Sequence, residues 1–75
     1  MKYGEVLKIL LKEKQVSNAE LARRIDKSRS YVSQLINGKI DEPSFGLAID
    51  IADALDTNIE YFVVNLEDED GDSDA

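Results

Sequence analysis

The segment SRSYVSQLINGK, residues 28–39, carries side chains that can form hydrogen bonds to nucleic-acid bases. Its polar residues recur at i, i+1, i+4, i+5 and i+8, a spacing that puts them on one stripe of an α-helix. They are Arg29, Ser30, Ser33, Gln34 and Asn37. An arginine can bind guanine and a glutamine can bind adenine through paired hydrogen bonds, and a serine suits either base. Such a stripe is often only solvated surface, so the prediction of base recognition depends on the neighbouring elements.

A second set of residues around this segment is suited to the phosphate backbone of DNA. Polar side chains and helix N-termini bind phosphate oxygens and fix the position of a protein on the duplex. The candidates are Asn18, Lys27, Ser28, Asn37 and Lys39. Tyr31 could contact a thymine methyl group or a phosphate, or pack at the edge of the helix, and we place it with the base-contacting residues. Arg23 and Arg24 could bind phosphate, but we expect at least one of them to be solvated.

The charge of the chain is segregated along the sequence. Sixteen acids against nine bases give a net charge of −7. All nine bases lie in residues 1–39 with only four acids, whereas residues 40–75 contain twelve acids and no base. Exposed charges separated by more than about 8 Å are largely screened at physiological ionic strength. A basic surface for a polyanion can therefore exist on this acidic chain.

Composition excludes several classes of protein. With no cysteine there is no disulfide, and with no histidine either, a zinc site or a histidine-based triad is out of reach. The serines and carboxylates have no evident base or metal partner, so we predict no enzymatic activity and no cofactor. No apolar run approaches the roughly 18 residues of a membrane span. We expect one small cytoplasmic domain, with no small-molecule effector indicated.

The apolar residues predict an all-α fold with five helices. A first helix at about residues 4–14 places Val6, Leu7, Leu10 and Leu11 on one face. Ser17-Asn-Ala-Glu20 is a capping-box sequence, in which the serine and the glutamate each bind the other's backbone amide. It predicts a short second helix with three inward residues. These are Leu21, Ala22 and Ile25.

Ser28 is expected to cap the third helix and Asn37-Gly38 to end it, because glycine adopts the left-handed conformation readily. A hairpin turn at Asn-Gly is the alternative, but the preceding run repeats at 3.6 residues rather than 2. Pro43-Ser44 predicts the start of a fourth helix, and Thr57-Asn-Ile-Glu60 a second capping box before a short fifth helix through Phe62. The expected inward residues of the third and fourth helices are Val32, Leu35, Ile36, Leu47, Ala48, Ile51, Ala52 and Leu55.

The end of the chain divides into an apolar part and an acidic part. The segment IEYFVVNL has more apolar residues than a short helix can bury, which favours a dimer interface over a fully buried final helix. The expected interface residues are Tyr61, Val63, Val64 and Leu66. Residues 67–75 are almost entirely acidic and predict a disordered tail, which leaves residues 1–66 as the folded domain.

At this point the sequence resembles the XRE-like helix-turn-helix family of phage repressors and Cro proteins. The matching string is NAELARRI, then SRSYVSQLINGK, then Pro43 and ADALD, within residues 4–62. The resemblance implies a five-helix phage-repressor-like fold and sequence-specific binding to double-stranded operator DNA as a homodimer. It also implies a phosphate contact from Asn18 and base contacts from Arg29, Ser30 and Gln34. We predict a transcriptional regulator of the repressor type; the alternative is a protein-interaction module of the same fold, such as an antitoxin-like partner.

The chain departs from the family pattern in two regions. Asp26 stands where the turn usually has glycine, and aspartate adopts a left-handed conformation at some cost. Lys27 replaces the usual apolar residue that follows, and could reach a phosphate. Leu11 and Ile36 replace an arginine and a glutamate that form an ion pair in many members. Exchange of a buried ion pair for apolar residues is often neutral or stabilising, so we expect Leu11 to contact Ile36.

Overall fold

Five α-helices make up the computed structural model, which describes the backbone of residues 1–73 and the side chains of residues 1–66. They are α1 (Tyr3–Lys14), α2 (Asn18–Arg24), α3 (Arg29–Ile36), α4 (Phe45–Ala54) and α5 (Ile59–Ser73). The described part of the chain contains no strand. The predicted all-α class is therefore confirmed.

Serine side chains begin three of the helices as predicted. The hydroxyls of Ser17, Ser28 and Ser44 accept hydrogen bonds from the backbone amides three residues later, at 3.1, 3.0 and 3.3 Å. These bonds satisfy amides that have no partner inside the helix. The predicted cap of α5 at Thr57 is wrong by one residue, since Asn58 Oδ1 accepts from the amide of Tyr61 at 3.2 Å.

Each of the first four helices ends with a residue in the left-handed conformation. These are Gln15, Asp26, Gly38 and Asp56, with φ of 59°, 59°, 84° and 57°. In every case the next amide donates to the carbonyl five residues before it, at 2.9 Å, which is the Schellman arrangement. The stops at Gly38 and Asp26 were expected; the other two have no glycine to announce them.

The core lies between α1, α3, α4 and α5, with α2 closing one side. The side chains with less than 2 % exposure are Phe62, Leu7, Leu21, Leu35, Ile51, Leu55, Val6 and Val32. The predicted inward faces of α1, α2 and α3 are confirmed, although Ile36 and Leu47 are only half-buried. Tyr3 stacks on Phe62 with ring centroids 4.7 Å apart. Burial raises the pKa of the Tyr3 hydroxyl far above its usual value, so this group stays neutral in the folded protein.

Gly4 allows the backbones of α1 and α3 to approach closely. A Cβ atom at this position would lie 2.2 Å from the Leu35 carbonyl oxygen and 2.9 Å from that of Ile36. Both neighbours are backbone atoms, which cannot move aside as a flexible side chain would. Any larger residue would therefore separate α1 from the end of α3.

The fifth helix is longer than predicted. The sequence indicated a short helix through Phe62, whereas α5 extends to Ser73. The ambiguous IEYFVVNL stretch is therefore helical. The expected disorder of residues 67–75, and the boundary at residue 66, remain predictions, because the side chains of 67–73 and all of 74–75 lie outside the described residues.

Candidate nucleic-acid interface

A tight turn joins α2 to α3. Asp26 adopts φ of 59°, and the Lys27 amide donates to the Ala22 carbonyl at 2.9 Å, which ends α2. Ser28 then caps α3, so the direction of the chain changes within four residues. Leu21 and Val32 are fully buried and lie in the core that the two helices share. The pair is thereby fixed as one rigid unit, with the outer side of α3 facing solvent.

The polar stripe of α3 is at the surface, as predicted. Arg29, Ser30, Gln34 and Asn37 are exposed, and Ser33 is half-buried. The α3 stripe, which we define as these five residues, lies opposite the buried Val32 and Leu35. Its exposed groups are donors and acceptors of the kind that base edges require.

Hydrogen bonds within the α3 stripe hold two of its amides along the helix. Gln34 Nε2 donates to Ser30 Oγ at 3.5 Å, and Asn37 Nδ2 donates to Ser33 Oγ at 3.3 Å. Both distances are at the long end for a hydrogen bond, so the bonds are weak. They keep the amides in an extended row, and a base edge could replace them at little cost.

Tyr31 belongs partly to the core and partly to the surface. Its ring is half-buried and packs against the core cluster. The Lys27 ammonium lies 5.7 Å from the ring centroid, which is within cation–π range. The packing interpretation of Tyr31 is therefore correct for its ring, and Tyr31 in turn orients Lys27 beside the start of α3.

The residues expected to bind phosphate are all exposed and surround the α3 stripe in sequence. They are Asn18, Lys27, Ser28, Asn37 and Lys39. Lys27, Arg29 and Lys39 form no ion pair with any residue that the structure describes. Their charges are therefore available to an incoming anion.

Arg23 and Arg24 are both bound to Glu20. The hydrogen bonds from Arg23 and then from Arg24 lower the pKa of the Glu20 carboxyl, and Glu20 raises the pKa of Arg23. Arg24 Nε donates to Glu20 at 2.9 Å, and its NH1 donates to the Ala54 carbonyl at the end of α4, also at 2.9 Å. The capping box predicted at Ser17 is therefore only half formed, since Glu20 binds these arginines rather than the serine amide.

Sequence reasoning missed this role of Arg24, which joins α2 to α4. Nothing in the local pattern identifies Ala54, thirty residues away, as its partner. The only available signal was the carboxylate four residues before Arg24, a favourable helical spacing. A reciprocal bond of the predicted kind does occur at α1, where the Lys2 amide donates to Glu5 Oε1 at 2.9 Å.

A model of the helix-turn-helix family matches residues 7–62, most of the chain, and includes α2, the turn and α3. The chain belongs to the XRE-type helix-turn-helix family. This confirms the resemblance found in the sequence and identifies the chain as a DNA-binding helix-turn-helix regulator in general terms. No curated protein matches the chain.

In this helix-turn-helix protein the four residues expected at a dimer interface lie on two sides of α5. Val63 and Leu66 line a groove against α4, while Tyr61 and Val64 line a shallow depression beside the start of α5. Val63 and Val64 are 44 % and 54 % exposed, and the other two are half-buried. The described residues include no helix long and apolar enough to cross a membrane.

Proposed function

We propose that this chain is a sequence-specific transcriptional regulator that reads the major groove of DNA with α3 and acts as a repressor. The observation that carries the proposal is the α3 stripe, which stands exposed on a helix fixed by the preceding turn. A helix presented in this way fits the width of the major groove. Repression needs only occupancy of an operator, so it requires no further contact from the protein.

The base contacts would come from the N-terminal half of α3 and its outer edge. We assign them to Arg29, Ser30, Tyr31, Ser33 and Gln34. Arg29 carries a free guanidinium at the first position of α3, and Gln34 carries an amide held only weakly by Ser30. Tyr31 and Ser33, which are half-buried, would contribute only their exposed atoms.

The phosphate contacts would come from both ends of α3 and from the start of α2. We assign them to Asn18, Lys27, Ser28, Asn37 and Lys39. Lys27 and Lys39 flank α3 in sequence, so they would bind the backbone on either side of the bases that α3 reads. Their charges make binding salt-dependent, because each neutralised phosphate releases counterions.

The regulator would bind as a homodimer, with α5 at the subunit interface. Val64 points outward on α5 and is 54 % exposed, with Tyr61 beside it. We place these two residues at the centre of the contact, with Val63 and Leu66 on the side that faces α4. A two-fold dimer would require half-sites about 34 Å apart on one face of the duplex.

Selection of bound sites from a random DNA pool tests this function directly. We expect enrichment of a two-fold symmetric site with half-sites one helical turn apart. Enrichment of no sequence, together with a protein that co-purifies in fixed ratio, would instead identify the protein-interaction module.

Substitution of Arg29 tests the assignment of α3. Arg29→Ala should weaken binding to the selected site by about 10- to 100-fold, the value of a bidentate guanine contact, and change binding to random DNA much less. Lys8→Ala on α1 removes one exposed cation outside α2 and α3 and serves as the control. Equal losses on selected and random DNA for Arg29→Ala would contradict base readout by this residue.

A further inference from the structure

The surface of α4 and α5 exposes apolar side chains that the proposed DNA contacts do not use. Phe45, the first residue of α4, is 74 % exposed, and Ile49, one turn later, is 38 % exposed. Val63 of α5 is 44 % exposed. Exposed side chains of this size normally mark a contact with another molecule when they are contiguous.

These residues border one concave surface. A groove of about 200 Å³ runs between α4 and α5. We define the α4–α5 groove by six of its lining residues: Pro43, Phe45, Ala48, Ile59, Val63 and Leu66. Its walls are predominantly apolar, and the buried ring of Phe62 lies at its base. An apolar groove between two helices suits the apolar face of a third helix.

The rim of this groove is acidic throughout. Glu42 is the only charged residue that lines it among the described residues. Asp53 lies one turn beyond Ile49 on the same side of α4, and Glu60 lies one turn before Val63 on α5. Residues 40–66 contain six acids and no base. The acids of this stretch form no ion pair with another described residue.

This charge decides between two kinds of occupant. If the grooves of two copies faced each other, acids would oppose acids with no base from either α4 or α5 to offset them, and such like-charge contacts are unfavourable. A helix with apolar residues on one face and lysines or arginines beside them would fill the groove and neutralise its rim. We propose that the α4–α5 groove binds a basic amphipathic helix of a partner protein.

Binding at this groove is separate from binding to DNA. The groove residues come from α4 and α5, whereas the α3 stripe comes from the unit that α2 and α3 form. A partner helix could therefore dock while α3 stays free for DNA. The proposal thus gives the regulator a second macromolecular ligand of defined chemistry.

A set of synthetic peptides tests the proposal on the full chain. The probe is a helical peptide of about 14 residues, roughly 21 Å long, with leucines at i, i+3, i+4 and i+7 and lysines beside them. One matched peptide replaces the lysines with glutamates. Another keeps the composition of the probe but scrambles the order, so that the apolar stripe is lost. We expect the probe to bind at least about tenfold more tightly than either control peptide.

Substitutions in the groove complete the test. Phe45→Ser should weaken binding of the lysine peptide by about tenfold. Ile9→Ser removes a similarly exposed apolar residue, 42 % exposed on α1, and should leave peptide binding unchanged. Equal affinity for the probe and the scrambled peptide, or no effect of Phe45→Ser, would overturn the proposal.

Two further measurements on Phe45→Ser separate this proposal from the proposed function. DNA affinity should be unchanged, since Phe45 is on the opposite half of the chain from the α3 stripe. The mass in sedimentation equilibrium should also be unchanged. Conversion of a dimer to a monomer by Phe45→Ser would show that the groove is an interface between two copies, and would overturn the partner assignment.

Discussion

The surface of α2 and α3 and the surface of α4 and α5 are built from helices with the same kinds of ends, yet they present opposite chemistry. The first exposes hydrogen-bonding side chains and free cations such as Lys39. The second exposes Phe45 and Val63 among acids. The net charge of −7 describes neither surface. For a chain of this kind, the charge of each surface, rather than that of the whole molecule, indicates what it binds.

The two glycines that lie inside helices give the largest difference between these surfaces. Gly4→Ala should destabilise the protein by about 3 kcal/mol or more, because the new methyl group would overlap the Leu35 carbonyl and displace α3. Gly46→Ala on α4 meets no atom within 4 Å and should stabilise the protein by about 0.5–1 kcal/mol through helix propensity.

Urea denaturation of both variants measures these changes in the free energy of unfolding. Gly46→Ala serves as the control for helix propensity, since both glycines are helical and differ mainly in their surroundings. A stabilised Gly4→Ala variant would show that α1 and α3 do not approach as closely as this structure indicates.

Charge neutralisation on each surface gives the next largest effect. Lys39→Gln should weaken binding to every DNA sequence by about tenfold at low salt and reduce the slope of log K against log salt by about two for a dimer. Glu60→Gln on α5 should change DNA affinity less than about twofold, because its charge is screened at the distance of the α3 surface.

Fluorescence anisotropy with labelled DNA over a range of salt concentrations measures both variants. A similar increase in affinity for Glu60→Gln would show that the two surfaces are electrostatically coupled. That result would break the distinction on which the comparison depends.

The same substitution can be made at matched turns in the two regions. Asp26 and Asp56 are both aspartates in the left-handed conformation, with φ of 59° and 57°. Replacement of either by glycine should stabilise the protein by about 0.5–1 kcal/mol, because glycine adopts this conformation without steric strain. Only Asp26→Gly should also raise DNA affinity at low salt, by a few-fold, since it removes an acid next to Lys27.

Thermal unfolding and anisotropy of the two glycine variants provide the comparison. Equal gains in stability with unequal changes in DNA affinity are the expected result. Equal changes in DNA affinity would contradict the placement of the turn before α3 at the DNA surface.

The smallest effect concerns Glu20 and its two arginines. Its lowered pKa means that the ionised carboxyl stabilises the folded state above the unfolded pKa of about 4.3, and that this contribution is lost as the pH falls through the lower folded value. Glu20→Gln should therefore be slightly less stable than the natural chain at pH 7. The difference in Tm should disappear at a pH below both values.

Melting curves over a range of pH test this linkage. A difference in Tm that persists at low pH would show that Glu20 acts through packing rather than charge. Because the group is exposed, we expect the effect to be small, and high salt should reduce it further.

Much of the fold could be predicted because its signals are local. Ser17, Ser28 and Ser44 cap their helices by bonds to amides three residues away, and Gly38 ends α3 at the expected position. The cap of α5 was placed one residue early because Thr57 and Asn58 are both good N-cap residues. The tertiary structure assigns Thr57 to the end of α4, where its amide binds Ala52.

The candidate site was predicted in the same way, as a stripe on α3 with caps and cations at its ends. What the sequence did not reveal is how the stripe is supported. Gly4 lies against the end of α3, and Arg24 joins α2 to α4. Neither role follows from the helical pattern, which treats Gly4 as the start of α1 and Arg24 as an outward cation.

The sequence by itself determined which segments are helical, where most of them start, which faces are apolar and which family the chain resembles, because each of these depends on residues within about four positions of one another. Only the tertiary structure decided that α1 and α3 touch at Gly4, that Arg24 binds Ala54, and that Phe45 and Val63 border one groove. Those contacts join residues far apart in the chain, and the packing of whole helices, rather than local propensity, brings them together.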